Sequence, residues 1–402
     1  MSSLLDRARS MAGELQALRR DLHRIPEVGL DLPKTQARVL AELEGLDLEV
    51  ATGAALSSVV AVLRGQGGSS DPPGPVVLLR GDMDALPVAE EVDLPYASQR
   101  PGAMHACGHD LHTTALIGAA RLLHAHRDEL AGDVVFMFQP GEEGPGGAEP
   151  MLAEGVLDAA GRPVDGAYAL HVFSSRLERG QWSARPGRLM AAVDTITITV
   201  TGRGGHGSTP HRAADPVPVA CEIVLALQTM VTRTFDAFES VVLTVGRVTA
   251  GTKENIIPDT AELAATLRTF SPEVRQVACA AVERVAAGVS AAHGMTAAVA
   301  YSEGYPATVN DEAEYELGRQ VCVDLFGEER YEEAEVPLMG SEDMSYVLQQ
   351  VPGAFFWLGA HATGDVADAQ DNHSSRAAFD DSVLPDAAAW LASVALRRAQ
   401  QE

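Results

Sequence analysis

Val134-Val135-Phe136-Met137-Phe138 runs without a break into Gln139-Pro140-Gly141-Glu142-Glu143-Gly144. Five consecutive apolar residues predict a strand buried on both faces, as in a parallel sheet covered by helices. Two adjacent carboxylates at the end of such a strand repel each other and lose water, so their presence needs a reason. One could bind a cation while the other takes a proton. A solvated acidic turn would also serve, in a chain with 56 acidic residues against 30 basic ones.

Working outward, three more runs share this character: 76–79, 167–170 and 354–358. Helical patterns lie beside them at 4–23, 111–126, 311–326 and 385–398. Residues 194–200 differ. Asp194-Thr195-Ile196-Thr197-Ile198-Thr199-Val200 alternates strictly, the period of a sheet with one wet face. A helix is expected at 216–233, then strands at 240–248 and 260–270. A second helix opens with Ser271-Pro272-Glu273, where Ser can cap and Pro suits the first helical position. A last strand is expected at 296–302. The order β-α-β-β-α-β is ferredoxin-like. The expected fold is therefore α/β. A larger domain of residues 1–190 and 305–402 carries a mostly parallel sheet covered by helices, and residues 191–304 form an inserted, smaller ferredoxin-like α+β domain. An exposed edge on the inserted sheet would suit dimerisation. The low-complexity stretch 65–75 reads as a surface loop.

Composition narrows the partners. The 402 residues carry a net charge of −26, with a pI of about 4.8. Such a surface repels phosphate backbones and anionic lipid, which argues against nucleic acid and membrane surfaces. The N-terminus lacks the apolar run of a signal peptide, and no uncharged apolar run of about 18 residues occurs. Four scattered cysteines (Cys107, Cys221, Cys279, Cys322) make no disulfide framework. A cytoplasmic, reduced protein is expected.

The chemistry sits where buried strands end. Gly81-Asp82-Met83-Asp84 follows the first run, Glu142-Glu143 the second and His171 the third. Open α/β sheets bind ligands outside the carboxyl ends of their strands, so three strands deliver metal-type ligands to one edge. Met104-His105-Ala106-Cys107-Gly108-His109-Asp110 precedes a helix expected from residue 111. The helix N-terminus and any bound cation would favour a thiolate at Cys107. Cys107 alone reads as a small buried residue and His109 as a loop histidine. Beside Glu143 and His171, both read as ligands.

These strings resemble a known family. GDMDALP (81–87), MHACGHD (104–110), GEEG (141–144), LHV (170–172), GGHGSTPH (204–211), ENIIPD (254–259), MGSEDM (339–344) and NHS (372–374) look like the M20 metallopeptidase clan. They match its amidohydrolase branch of aminoacylases, hippurate hydrolases and indole-acetyl-amino-acid hydrolases. The His23-to-Glu27 HxxPE string fits too. The resemblance spans nearly the whole chain in order.

It implies a catalytic larger domain and a dimerisation (lid) insert, in a homodimer or a higher homo-oligomer. It implies two divalent ions per subunit, held by Cys107, His109, Glu143, His171 and His373. Zinc or manganese would suit, as would cobalt or nickel. Glu142 matches the family's general base, taking a proton from a water that the cations acidify. Many relatives carry a histidine where this chain has Asp82, so Cys107 takes over the bridging position. Asp84 reads as a residue orienting a histidine. His206 matches a histidine that reaches a partner subunit's site. Asn255 and Arg268 match contacts to the product's carboxylate, although Arg268 reads equally as a surface salt bridge on a strand. His105, His112, His211, His361, Glu342 and Asp343 read as structural support.

The function implied is metal-dependent cleavage of small N-acyl-amino acids carrying acetyl or aromatic acyl groups, as in hippurate. A dipeptidase or carboxypeptidase would use the same site. A non-catalytic binding protein of this fold should have lost a ligand or the base, and here every position is filled.

Overall fold

The structure is a computed structural model that describes residues 2–68 and 73–401. Residues 69–72 of the low-complexity stretch lie outside the described residues. The chain divides into two compact units: Met1–Leu189 with Val309–Val336 and Asp343–Glu402, and Met190–Thr308 with Pro337–Glu342. The segment Pro337–Glu342, which the sequence reading kept in the larger part, groups with the smaller unit. There Ala191 donates its N–H to the carbonyls of Leu338 and Gly340.

The larger unit holds an eight-stranded mixed sheet. Four strands form its parallel centre: Asp133–Gln139, Val76–Asp82, Gly166–Phe173 and Gly353–Gly359, in that spatial order. Val76–Asp82, Gly166–Phe173 and Gly353–Gly359 are buried at every residue. Unbroken apolar runs are what such doubly covered strands need. Val59–Leu63 and Glu49–Thr52 add antiparallel strands at one side. The helices His109–Ala125 and Leu384–Arg398 pack on each other and on the central strands. One apolar core of this unit gathers Leu79, Phe136, Phe356, Leu116 and Trp390.

Boundaries differ where local chemistry outweighs pattern. The N-terminal helical stretch is two helices, Ser2–Ser10 and Ala12–His23. The helix expected from 111 begins at His109, because Gly108 adopts φ +88° and starts it two residues early. A Cβ there would stand 2.4 Å from Val172 Cγ2, so both the conformation and the close approach require glycine. His171 lies inside its strand, not after it.

In the smaller unit, strands Val242–Ala250, Thr260–Thr269, Ala192–Thr201 and Thr296–Glu303 form an antiparallel sheet in that spatial order. Helices Pro216–Thr234 and Pro272–Ala292 cover one face. Ile196, Ile198 and Val200, the apolar half of the alternating stretch, are buried with Ile223, Leu227 and Val282. Strand Val242–Ala250 breaks register between Val245 and Arg247, a bulge at Gly246. Ser271 caps its helix by accepting from the Val274 N–H. Helix Pro216–Thr234 is long and apolar enough to cross a membrane by length and composition. It nevertheless carries Glu222 and Arg233, and its Val219, Ile223, Leu227 and Met230 face the unit's core.

Candidate metal centre

The four parallel strands end together, and the residues that leave them converge. Cys107, His109 and His171 bring ligand atoms within 4.8 Å of one another, and so do Cys107, Glu143 and His373. His109, Glu142 and Glu143 form a third such group. Cys107 Sγ is 3.3 Å from His171 Nε2. Glu143 Oε1 is 3.2 Å from His373 Nε2 and 3.9 Å from His109 Nε2. All six residues expected at the centre from sequence are thus neighbours in the larger unit.

The arrangement at His171 fits a cation. His171 donates from Nδ1 to the Val172 carbonyl at 2.8 Å, leaving its Nε2 lone pair facing Cys107. Burial, with the nearby His112, holds the imidazole well below its usual pKa, hence neutral as a ligand must be. Neither ring nitrogen of the buried His109 makes a hydrogen bond of good geometry. An orphaned imidazole of this kind is costly unless something else binds it. The thiolate was expected from the helix N-terminus together with a bound cation. Burial pushes the Cys107 thiol up, and the Glu143 charge adds to it. A cation bound at the sulfur would offset that rise. Soft sulfur, imidazoles and a carboxylate make a donor set that suits the transition divalents.

Asp82, His109 and His112 also lie close together, but His112 has no lone pair to offer. Its Nδ1 donates to Asp82 Oδ1 at 2.6 Å and its Nε2 accepts from the Val172 N–H at 2.8 Å. Asp82 is held by Arg80 Nη1 at 2.5 Å and by His112. It is a neighbour of the centre tied up in supporting bonds. Arg80 in turn donates to Asp343 Oδ1 at 2.8 Å, and Asp343 accepts from Gln139 and from the Ala148 N–H. This buried network fixes the two strand ends and the loop that carries Glu142 and Glu143. Asp84 accepts the N–H groups of both glutamates, at 3.0 and 3.1 Å, and its Oδ1 is 3.4 Å from His109 Nδ1. One carboxylate thereby orients a loop and an imidazole.

A second buried network, of which the sequence strings held only His23 and Asp110, backs the His109 turn. Asp110 Oδ2 takes Arg19 Nε at 2.8 Å and His23 Nδ1 at 2.7 Å, and His23 Nε2 is 3.1 Å from Glu90. Arg19 comes from the N-terminal helical stretch, where the pattern gave no sign of a buried guanidinium. Asn372 was quoted in the NHS string beside His373 but was given no role of its own.

In the smaller unit, Gly205–His206 pairs with Ile256–Ile257, and the Gly207 N–H donates to the Asn255 carbonyl at 2.9 Å. His206 and Asn255 therefore meet. His206 is exposed, and its Nδ1 accepts from the Ser208 N–H at 3.1 Å. Arg268, on strand Thr260–Thr269, donates from Nη1 to the Met339 carbonyl at 2.6 Å.

Comparison with known proteins matches these features as a set. Residues 78–397 match the model of peptidase family M20/M25/M40. The chain is 38% identical over 387 residues to the Arabidopsis thaliana IAA-amino acid hydrolase ILR1-like 2, covering 94% of this chain and 84% of that one. It is 37% identical over 373 residues to thermostable carboxypeptidase 1 of Saccharolobus solfataricus, covering 91% of each. Among solved structures, a Bacillus subtilis dinuclear metal binding peptidase of the M20 family superposes with a TM-score of 0.81. That pair is 32% identical, over 97% of this chain and 98% of that one. The chain belongs to peptidase family M20, whose members are metal-dependent amidohydrolases and peptidases.

Proposed function

We propose that the chain hydrolyses the amide bond of N-acyl-amino acids, using two divalent cations per subunit held by Cys107, His109, Glu143, His171 and His373. The observation that carries this reading is Cys107, which belongs both to the triplet with His109 and His171 and to the triplet with Glu143 and His373. One sulfur common to two donor sets suits a shared ligand of a binuclear site. When bound, the cations supply Lewis-acid polarisation of the scissile carbonyl and a more acidic water. The Glu142 carboxylate accepts the proton of the attacking water and returns it to the departing nitrogen. Asp84 holds the loop that carries both carboxylates by accepting the backbone N–H groups of Glu142 and Glu143.

His206 donates from Nε2 to the carbonyl oxygen as it gains negative charge. Its tautomer supports this, since Nδ1 is occupied as an acceptor from Ser208. Asn255 and Arg268 bind the amino-acid carboxylate, an anion that a chain of net charge −26 can receive only through local donors. The working form is a homodimer in which His206 acts across the interface. If so, His206→Ala should lose most activity alone. It should regain part when mixed with Glu142→Gln subunits, whose own His206 is intact. Activity staying at the sum of the two separate variants would place His206 outside the reaction.

The direct test is cation analysis of the purified protein, with hydrolysis of N-acetylmethionine, hippurate and a dipeptide panel before and after chelation. Chelation should abolish hydrolysis and added zinc, manganese or cobalt should restore it. The similarity to a carboxypeptidase over 91% of the chain favours a second reading, a peptidase on the same site. Faster turnover of dipeptides than of acylated amino acids would select it.

A further inference from the structure

We infer that Asn372 is a positioning residue for the cation site, a splint that holds the ligands Cys107, His171 and His373 at fixed mutual spacing; the inference rests on the cation reading above. Its Nδ2 group donates to the Cys107 carbonyl at 3.2 Å and to the Val172 carbonyl at 3.1 Å, and lies 3.7 Å from Cys107 Sγ. The Val172 carbonyl is the same acceptor that orients His171 through Nδ1. Its Oδ1 is occupied in turn, accepting from the Ser174 N–H at 2.9 Å and facing the Ser174 hydroxyl at 2.8 Å. Those bonds fix the amide's orientation, with the NH2 group towards the sulfur.

The next residue completes the arrangement. His373 donates its backbone N–H to the Ala106 carbonyl at 2.9 Å and sits at φ +71°, a conformation that costs energy for a residue with a Cβ. Three segments distant in sequence, 106–107, 171–174 and 372–373, are thus cross-linked by one amide and one backbone bond. The amide thus ties the Cys107 loop directly to the end of strand Gly166–Phe173, beside the bond from the Val172 N–H to His112 Nε2.

The test is cobalt(II) binding by the chelated protein, read as the dissociation constant and as the cobalt–thiolate absorption. Asn372→Leu keeps the side chain's bulk and removes its donors and acceptor. It should weaken binding by roughly 10- to 100-fold, the usual effect of losing a partner that orients a metal ligand. The thiolate absorption should change as the sulfur moves. Ser174→Ala, a milder change that leaves the amide in place, should weaken binding by a smaller factor in the same direction. Trp390→Phe removes a buried hydrogen bond to Gly318 in the helical core. It should lower the melting temperature without altering cobalt affinity, separating positioning from general destabilisation. Unchanged cobalt affinity and absorption in Asn372→Leu and Ser174→Ala would overturn the inference while leaving the cation site standing. If Asn372→Leu fails to fold, unchanged affinity in Ser174→Ala overturns it alone. A parent protein that takes up no cobalt would overturn the cation reading and this inference together.

Discussion

Glu142→Gln is expected to lower turnover of an N-acyl-amino acid by about 10²- to 10⁴-fold while cation content stays at the parent level. The reason is that Gln keeps the shape and hydrogen-bonding reach of Glu but cannot accept a proton from water at neutral pH. The loop should not move, because Asp84 grips the backbone N–H groups of residues 142 and 143, not their side chains. Glu143 keeps its place near His373 and His109 through its own carboxylate. Cation analysis and kcat on the same preparation decide the matter. Full activity would remove Glu142 from the reaction. Loss of cation together with activity would make Glu142 a ligand, an outcome its closeness to His109 and Glu143 leaves open to experiment.

Asp110→Asn is expected to destabilise the chelated protein by about 3–5 kcal/mol, the usual cost of breaking a buried ion pair from one side. Arg19 and His23, each 1% exposed, both point at this carboxylate. With Asn there, two buried cations would share the remaining Asp381 and Glu90. Urea unfolding of the chelated protein measures the effect, and a loss below about 1 kcal/mol would show that those two carboxylates suffice. His23 adds a pH signature. Burial disfavours its charge, but Asp110 and the Glu90 hydrogen bond outweigh both that and the Arg19 charge, so its pKa is raised. Tyr96 and the neutral His105 complete its surroundings. A raised folded pKa means the stabilisation is complete below the unfolded value of about 6.5 and is lost as pH climbs through the folded value. Unfolding free energy should therefore fall from about pH 6.5 upward in the parent, and His23→Gln should lack that component.

The fold class was legible because burial writes itself into hydrophobic period. Four unbroken apolar runs became the four parallel strands at the sheet's centre. The strict alternation at 194–200 became a strand with Ile196, Ile198 and Val200 inside. A fifth unbroken run, the buried strand Val59–Leu63, escaped, and the other omissions were short or amphipathic at low contrast. Helix Pro33–Leu43 carries its Pro at the first turn and buries only Thr35, Val39 and Leu43. Strands Glu49–Thr52 and Trp182–Ala184 are too short for any period to register.

The ligand types were legible for a different reason. Cys107, His109, Glu143, His171 and His373 are residue types that ordinary strand ends do not need, and they follow buried runs or a helix start. Of the groups that support them, Asp84, His112 and Asp343 were named but others were not. Arg19, Arg80, Gln139 and Asn372 are polar residues whose meaning depends wholly on what lies across the fold. Arg80 sits in a strand where a guanidinium has no obvious place until Asp82, Gln139 and Asp343 surround it.

The sequence by itself thus determined the layer architecture, the strand-end position of the site and the residue types that meet there. It could do so because hydrophobic period and metal-ligand chemistry are properties of segments. Only the tertiary structure decided which lone pairs are left for a cation. His112 and His171 are both buried imidazoles beside Val172. The Val172 N–H occupies Nε2 of the first, while the Val172 carbonyl takes the Nδ1 proton of the second and leaves its Nε2 open. A hydrogen bond between residues 60 positions apart cannot be read from either segment alone, since its geometry exists only once the strand and the helix have packed.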